Sequence, residues 1–239
     1  MKNYTKSFWI GGKYAVLEAV KNKNNIIQAI SVKEQNFALI KDLIDPKKIK
    51  ISNENFFNKT FYNSNITHQG FAAKIQSPIK KLDFLKQNLA KYSSIALLDN
   101  IFDDRNIGSI VRSAAAFNLN AIIVEEKNFR HESQMLHKSS SGMINHIDLI
   151  VVKNLKHALN EFKKNNFWVY GLDIGSKNLI NKKKSVDKFC LILGSEGKGI
   201  KKSLLDYCDE LLKIEINKHV DSLNVANSAS IAMYELNLK

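Results

Sequence analysis

The chain has 239 residues, a mass of 27.2 kDa and a formal net charge of +13, and its 44% apolar and 25% charged residues are typical of a globular protein with one or two domains. It lacks the run of about 18 apolar residues that a membrane span requires, and its N-terminus has no apolar core of the kind found in signal peptides, so we expect a cytoplasmic protein without a membrane partner. The two cysteines, Cys190 and Cys208, have neither C-x-x-C spacing nor a neighbouring histidine pair, so we expect buried thiols and no metal site.

The positive charge is concentrated in the N-terminal third. Residues 1–90 hold 15 basic and 6 acidic side chains, a net of +9, whereas residues 91–239 hold 21 and 17, a net of +4. A basic field attracts polyanions, and RNA is the commonest of these in the cytoplasm, so RNA is the expected partner and DNA is not. The alternative is a lysine-rich composition that serves solubility alone.

The first part of the chain is predicted to be a small α/β domain. Its predicted elements are, in chain order, a helix from Tyr14 to Val20, a strand at 26–30, a helix at 32–43, a second short α/β repeat that ends near residue 65, a connection at 68–75 and a lysine-bearing helix at 80–91. We therefore predict a first domain at 1–72 and a linker at 73–92.

The rest of the chain, residues 93–239, alternates apolar strands with helices. The predicted strands lie at 94–99, 121–125, 146–152, 167–174, 189–194 and 210–216, and the predicted helices at 107–118, 154–165, 200–208 and 223–237. This alternation predicts a parallel sheet covered on both faces, with ligands bound beyond the carboxyl ends of the strands. The loops after Asp99, Leu193 and Ile216 are therefore expected to meet.

The segment LILGSEGKGIKKS (191–203) contains three glycines but does not match a phosphate-binding loop. Gly194 and Gly199 have the spacing of a Walker A motif, yet Ile200 stands where the essential lysine is required. The order of the glycines, G-x-x-G-x-G, also differs from the dinucleotide fingerprint G-x-G-x-x-G. The loop is therefore expected to bind something other than a phosphate.

Arginine is rare in this chain, and its positions are informative. Of 36 basic residues only Arg105, Arg112 and Arg130 are arginines. Where lysine serves nearly everywhere else, an arginine indicates a need for a planar, bidentate donor. Two of the three lie within eight residues, directly after the first predicted strand of the parallel sheet.

Three segments together resemble the motifs of the SpoU-type, or SPOUT class, RNA 2′-O-methyltransferases. The first is DNIFDDRNIGSIVRSAAAF (99–117), with Asn106, Gly108 and Arg112 at the N-x-G-x-x-x-R positions. The others are LILGSEGKGI (191–200) and KIEINKHVDSLNVANSASIAMYEL (213–236). Three motifs in the right order, which cover most of residues 97–236, make the resemblance specific.

The resemblance implies a deep trefoil knot, in which the chain after the second motif threads through a loop and its last segments pack beside the first. It also implies a homodimer, and S-adenosylmethionine as the cofactor, with Gly194, Ile214 and Leu223 at the positions of the family's cofactor contacts. The glycines would then let the backbone approach an adenosyl group. Residues 217–219, Asn-Lys-His, stand where the family usually carries Pro and Gly, so this loop is expected to differ.

The implied reaction is the attack of a ribose 2′-oxygen on a sulfonium methyl, which requires loss of the hydroxyl proton and an in-line arrangement. The family assigns the proton-accepting role to the arginine at Arg112. Because arginine stays protonated in proteins, a clamp on a phosphate and on the developing alkoxide is the alternative. The other catalytic residues implied are Asn106, Glu196, Ser222 and Asn224. Taken singly, the asparagines and the serine have an alternative as helix N-caps, and the glutamate as a solvated loop charge.

The N-terminal segments GGKYAVLEAV (11–20) and HQGF (68–71) resemble the substrate-binding domain of the branch known as RlmB, which methylates a guanosine in 23S ribosomal RNA. This resemblance implies that the first domain captures ribosomal RNA and that residues 93–239 carry out the chemistry. Two alternatives are the same reaction on transfer RNA, and a noncatalytic RNA-binding or ribosome-assembly factor that kept the fold.

Overall fold

The computed structural model describes residues 6–62, 66–76 and 79–237. Its strands form two sheets. The first sheet has the strand order β1-β4-β2-β3 and consists of β1 (Phe8–Gly11), β2 (Ile26–Val32), β3 (Ile49–Ile51) and β4 (Phe71–Gln76). Strand β4 runs antiparallel to both of its neighbours, and β2 and β3 run parallel. The part of the chain that builds this sheet, residues 8–76, is called the first unit below, and residues 80–237 the second unit.

Two helices complete the first unit. Helix α1 (Lys13–Lys21) buries Ala15, Val16, Ala19 and Val20, which recur at the spacing of one helical face and pack on the sheet. Helix α2 (Glu54–Thr60) begins after Asn53, whose side chain accepts a hydrogen bond from the backbone of Phe56 at 3.3 Å. The α/β character predicted for this region is therefore confirmed.

Two predictions within the first unit are wrong. The helix predicted at 32–43 is the end of β2 followed by a 3₁₀-helix at Glu34–Leu39. The connection predicted at 68–75 contains β4, which lies inside the sheet between β1 and β2. Its first three residues, Phe71, Ala72 and Ala73, are all buried, so apolar and polar residues alternate only in its second half, up to Gln76. The predicted end of the second repeat near residue 65 lies outside the described residues.

The second sheet has seven strands in the order β11-β9-β10-β6-β7-β8-β5, and every pair of neighbours is parallel. Its strands are β5 (Lys80–Lys81), β6 (Ser94–Leu98), β7 (Ala121–Glu125), β8 (Asp148–Val152), β9 (Trp168–Leu172), β10 (Phe189–Leu193) and β11 (Glu210–Leu212). Strands β6, β7 and β10 are buried along their whole length, as expected of a parallel sheet that is covered on both faces. The predicted fold class is confirmed.

The described residues of the second unit form six α-helices, besides short 3₁₀-helices: α3 (Leu82–Asn88), α4 (Asp104–Ala116), α5 (Gln134–Ser139), α6 (Leu155–Lys164), α7 (Lys202–Leu205) and α8 (Val225–Asn237). Helix α7 is shorter than the predicted 200–208, and β11 ends at Leu212 rather than at residue 216. After Leu212 the chain leaves β9, and Lys213 pairs instead with residues 178–180. Ile214 and Ile216 are therefore free to line a cavity.

The segment predicted as a linker, residues 73–92, has regular structure in both units. Its first part, up to Gln76, is the end of β4, and its later part forms β5 and α3. Leu85 and Leu89 are fully buried in the core of the second unit. The division of the chain into domains at 1–72 and 93–239 stays a prediction.

The last helix packs beside the helix that carries the first motif. Ser113 of α4 and Ser230 of α8 share a hydrogen bond of 2.6 Å, and the rings of Phe117 and Tyr234 meet edge to face at 5.8 Å. Strand β10 lies between β6 and β9, so a late segment of the chain occupies the middle of the sheet. Both features agree with the implied knot, whose threading stays a prediction.

Both cysteines are free thiols. Cys190 is buried as predicted, but Cys208 is only half-buried. Burial raises the pKa of Cys208 to about 11, and it raises the pKa of Cys190 as well. Among the described residues no three His, Cys, Asp or Glu side chains are placed to hold a metal ion, and no helix is long and apolar enough to cross a membrane.

The two units meet along α5 and residues 140–146, which together are called the seam below. The ring of Phe8 in β1 contacts the rings of His131 and His137, with centroids 5.2 and 5.3 Å apart. His137 is buried, and its Nε2 lies 2.9 Å from the backbone oxygen of His131. Burial lowers the pKa of His137 to about 4, so this side chain is neutral in the folded protein at neutral pH.

The buried histidine predicts a loss of stability in mild acid. Below pH 6.5 the unfolded chain takes up a proton at this position, whereas the folded protein stays neutral there until about pH 4. Between pH 7.5 and pH 5 we expect the wild type to lose ~2 kcal/mol more free energy of unfolding than His137→Gln. Urea unfolding at the two pH values measures this difference.

A matched control for this measurement is His157→Gln, because His157 is exposed on α6. This variant is expected to follow the pH dependence of the wild type. Parallel pH dependences for the wild type and His137→Gln would contradict the assignment of a low pKa to His137.

Candidate active site

The three loops expected to meet do meet, beyond the carboxyl ends of β6 and β10. The backbone N–H of Asp99 donates to the carbonyl of Leu193 at 2.8 Å and so extends the pairing of the two strands into the loops. The loop after β11 reaches the same place, because its residues line one cavity with those of the loop after β10. The rule that ligands bind at this edge of a parallel sheet therefore located the site.

One oxygen of Glu196 joins all three loops. Its Oε1 accepts hydrogen bonds from the side-chain amides of Asn224 at 2.8 Å and Asn106 at 3.4 Å, and from the backbone N–H of Val225 at 3.1 Å. Asn224 also donates to Oδ1 of Asn106 at 3.1 Å. A carboxylate oxygen that accepts several hydrogen bonds holds the segments that donate them close together. Glu196 is therefore exposed to solvent and at the same time part of a hydrogen-bond network, so the alternative of a solvated loop charge describes only one side of its surroundings.

Asn224 is a helix N-cap, as its structural alternative required, whereas Asn106 is not. Oδ1 of Asn224 accepts from the backbone of Ala226 at 2.9 Å, at the start of α8, so Asn224 caps this helix while its amide belongs to the network. Asp103 caps α4 instead of Asn106, since its side chain accepts from the backbone of Arg105 at 2.7 Å. Asn106, in the first turn of α4, thus has its side chain available to the site.

The cavity at this edge has a volume of about 330 Å³. All three residues predicted to contact the cofactor, Gly194, Ile214 and Leu223, line it. Of the predicted catalytic residues, Glu196 and Ser222 line it as well, whereas Asn106 and Asn224 contact Glu196 from outside the cavity lining. Asp173, Ile216 and Asp221 also contribute to the wall, and no prediction named them as site residues.

The glycines of the loop after β10 are required by the loop itself. A Cβ atom on Gly194 would lie 2.2 Å from the carbonyl carbon of Gly199 and 2.4 Å from the nitrogen of Ile200. Gly197 and Gly199 have φ values of 78° and 63°, in the left-handed region, where glycine carries no steric penalty. The sequence predicted an approach to a ligand. The observed close approach is between the two arms of the loop, which pair at Ser195 and Gly199.

A buried ion cluster anchors the far end of this loop, and the sequence reasoning missed it. Asp99 is fully buried and accepts from the backbone N–H of Lys201 at 2.8 Å, and its other oxygen lies 2.9 Å from Lys201 Nζ. Glu125, at the end of β7, lies 3.7 Å from the same ammonium. Burial alone would lower the pKa of Lys201, but the two carboxylates outweigh burial and raise it. The available signal was an acidic residue at the carboxyl end of each of two buried strands, Asp99 after β6 and Glu125 as the last residue of β7.

Neither arginine of α4 lines the cavity. Arg112 is exposed and does not line the cavity, and Arg105 is exposed as well. Arg130 pairs with the buried Asp104 at 2.7 Å and so holds the start of α4. The cavity and the predicted catalytic arginine are therefore not brought together within one chain.

The loop that departs from the family pattern forms a compact turn without Pro or Gly. Oδ1 of Asn217 accepts from the backbone of His219 at 3.0 Å, and its carbonyl accepts from Val220 at 2.9 Å. An asparagine side chain thus substitutes for a backbone turn, which is a common property of this residue. The unusual residues 217–219 still allow Ser222 and Leu223 to reach the cavity.

Comparisons with known proteins agree with this geometry. The model of the SpoU rRNA Methylase family matches residues 93–234. A TrmH family tRNA/rRNA methyltransferase of Staphylococcus aureus (strain MSSA476) is 34% identical over 236 residues, which cover 95% of this chain and 94% of that protein. A protein of the same description from Staphylococcus epidermidis is 31% identical over 235 residues, with the same coverage of 95% and 94%.

Two solved structures share the fold. The SpoU methyltransferase AviRb from Streptomyces viridochromogenes, in complex with AdoMet, has a TM-score of 0.81 at 18% identity and covers 97% of this chain and 89% of its own. An AdoMet-bound rRNA methyltransferase from Sinorhizobium meliloti has a TM-score of 0.82 at 18% identity, with 97% and 87% covered. The likeness extends over both units.

Proposed function

Because this chain belongs to the SpoU rRNA methylase family, we propose that it transfers a methyl group from S-adenosylmethionine to a ribose 2′-oxygen of RNA, with a guanosine of 23S ribosomal RNA as its substrate. The observation that carries the proposal is the cavity of about 330 Å³ between three loops that one carboxylate oxygen ties together. The loops correspond to the three motifs, so motif and geometry support the same reaction. The reaction takes place in the cytoplasm under this proposal.

The cavity wall fits S-adenosylmethionine. Its volume lies in the range of small-ligand sites, about 300–1,000 Å³. Ile214 and Leu223 offer apolar contacts for an adenine ring, and the glycine loop offers backbone donors and acceptors for its edge. Asp173 and Asp221 place carboxylates in the wall, which suit the positive charges of the sulfonium and ammonium groups. When bound, S-adenosylmethionine supplies an electrophilic methyl group.

The side chains of the chain orient the RNA and stabilise charge. Arg112 clamps a phosphate beside the target ribose, and its guanidinium stabilises the negative charge that develops on the 2′-oxygen. The hydroxyl proton passes to water, since a guanidinium that stays protonated does not accept it. The network of Asn106, Glu196 and Asn224 holds the starts of α4 and α8 in place, and thereby fixes where the nucleophile can lie.

The first unit captures the RNA. Residues 1–90, which include the first unit and the adjoining β5 and α3 of the second, carry a net charge of +9. The lysines of this region favour the phosphate backbone without reading sequence. Ribosomal RNA is the substrate that the resemblance of residues 11–20 and 68–71 supports. Methylation assays with ribosomal RNA and transfer RNA side by side test this substrate class.

The proposal includes a homodimer in which Arg112 serves the cavity of the partner chain. Helix α8 exposes Ile231 and Tyr234, at 38% and 51%, one turn apart on a face next to α4. Two copies that bury this face bring α4 of one chain toward the cavity of the other. This arrangement accounts for an essential arginine that is exposed and outside its own cavity.

A mixed-dimer experiment tests this arrangement. Arg112→Ala keeps an intact cavity, and Gly194→Val keeps an intact arginine, so we expect each variant alone to be inactive. Co-expression produces mixed dimers with one complete site, and random pairing is expected to restore about a quarter of the wild-type activity. Restoration would require the arginine to act across the interface, whereas no activity above that of the single variants would contradict the arrangement.

The function itself is tested by transfer of labelled methyl from S-adenosylmethionine to unmodified ribosomal RNA and to bulk transfer RNA, side by side, with Arg112→Ala as the control. Label in a single ribose of 23S RNA that disappears with the variant supports the proposal. Label in transfer RNA alone keeps the reaction and replaces the substrate. Saturable binding of S-adenosylmethionine with no label in either RNA would refute catalysis and favour the assembly factor.

A further inference from the structure

The seam lies between the first unit and the helix that carries Arg112. Helix α4 packs closely on α5 of the seam at Gly108. A Cβ atom on Gly108 would lie 2.7 Å from the carbonyl oxygen of Leu136 and 1.9 Å from Oγ of Ser139. No larger residue fits at Gly108 without moving α5. A displacement of the seam is therefore passed on to α4.

On its other side the seam is held by the first unit. Phe8 contacts His137, and Met135 packs against a buried cluster of the first unit that contains Phe57 and Phe61. Gly142 has a φ value of 80°, and a Cβ atom there would lie 2.6 Å from the carbonyl oxygen of Tyr14 in α1. The first unit and α4 thus contact opposite sides of the same short segment.

Directional contacts cross the seam at two adjacent residues: His146 Nε2 lies 2.7 Å from Glu18 Oε2 of α1, and several hydrogen bonds meet at Asn145. Its Oδ1 accepts from Asn25 Nδ2 at 2.8 Å, and its backbone oxygen accepts from Asn22 Nδ2 at 3.3 Å. Its own amide donates to the carbonyl of Gly142 at 2.9 Å, which fixes the side chain within the seam. Asn25 is buried and Asn145 is half-buried, so this hydrogen bond is partly shielded from water. Apolar contacts would allow the first unit to slide along the seam, whereas these directional hydrogen bonds define one orientation of the first unit relative to the seam.

We propose that Asn145 is a positioning residue, which fixes the first unit relative to α4 so that captured RNA reaches the cavity in one register. The inference rests on the proposed function, in which the first unit binds RNA and the second unit methylates it. It predicts that contacts across the seam determine the affinity for RNA and the choice of ribose. The affinity for S-adenosylmethionine is expected not to depend on them. Neither Asn145 nor Asn25 lines the cavity.

The test uses the full chain with Asn145→Leu, Asn25→Leu and the double variant. Leucine preserves most of the side-chain volume and removes the hydrogen bond between the two side chains, while the bond from Asn22 to the backbone oxygen of Asn145 remains. Asn25→Leu also removes the bond from Asn25 to the carbonyl of Ala19, so Asn145→Leu is the primary variant. In each variant we expect the KM for RNA to rise roughly three- to tenfold, because a smaller fraction of molecules holds the two units in the productive orientation. The KM for S-adenosylmethionine and the kcat at saturating RNA are expected to stay within about twofold of the wild type. Mapping of the product is expected to find methyl groups on neighbouring riboses.

The double variant and a matched control separate positioning from general destabilisation. If both asparagines act through their shared contact, the double variant has nearly the KM of either single variant. Asn165→Leu is the control, because the amide of Asn165 donates to the carbonyl of Glu161 at 2.9 Å within α6, away from the seam. It is expected to keep the wild-type KM for RNA.

An unchanged KM for RNA and an unchanged methylated ribose in Asn145→Leu would overturn the inference. An equal effect in Asn165→Leu, or parallel increases of both KM values, would also overturn it. Failure of the wild type to methylate any RNA would instead refute the proposed function. In that case the dissociation constant for RNA, measured without S-adenosylmethionine, still decides the matter: weaker binding by Asn145→Leu supports the positioning role, and equal binding rejects it.

Discussion

Replacement of Arg112 by lysine is expected to lower the kcat of RNA methylation at least about a hundredfold, although the positive charge is retained. A guanidinium contacts a phosphate and a developing alkoxide at the same time through a planar set of donors, and an ammonium does not. Because Arg112 does not line the cavity of its own chain, the affinity for S-adenosylmethionine is expected to stay within about twofold of the wild type. Single-turnover methylation and calorimetric titration measure the two quantities.

Arg105→Lys is the matched control for this prediction, since Arg105 is also exposed and also lies on α4. It is expected to keep most of the wild-type turnover. Near-native turnover by Arg112→Lys would exclude any role that requires a guanidinium. A loss of turnover together with a loss of S-adenosylmethionine affinity would show that Arg112 supports the cavity rather than the RNA.

The second large effect is expected for Gly194→Ala, which should weaken S-adenosylmethionine binding at least about a hundredfold, or ~3 kcal/mol. The added Cβ would stand 2.2 to 2.4 Å from backbone atoms of Gly199 and Ile200, and backbone atoms cannot rotate aside as a side chain can. The two arms of the loop must separate, which distorts the cavity wall they form. Titration of the variant with S-adenosylmethionine, together with its thermal unfolding curve, measures the effect.

Gly197→Ala tests whether the cause is the steric contact. Gly197 also has a backbone conformation that favours glycine, but no heavy atom lies within 4 Å of the place that an added Cβ would take. Only the conformational penalty, about 1–2 kcal/mol, is then expected. Equal losses of affinity in the two variants would assign the requirement for glycine to backbone conformation and contradict the steric explanation.

Local patterns were sufficient to predict most elements of the second unit. Strand β7 was predicted with its observed bounds, and β6, β10 and α8 within two residues, because runs of buried aliphatic residues bounded by polar caps have few alternative structures. The first unit was harder to predict. Strand β4 begins with three buried residues, two of them alanines, and alternates over only four residues, so its central place depends on β1 and β2 more than on its own sequence.

The sequence by itself determined the fold class, the edge of the sheet where the site lies, and most of the side chains that meet there, since strand polarity and motif order are properties of the chain. Only the tertiary structure decided how these side chains are connected. Glu196 accepts hydrogen bonds from Asn106 and Asn224, which are 90 and 28 residues away in the sequence. The order of strands in the sheet brings these three residues together in space. The exposure of Arg112 and the closeness of Gly194 to Gly199 were likewise decided by packing, because no local pattern encodes the distance between two loops.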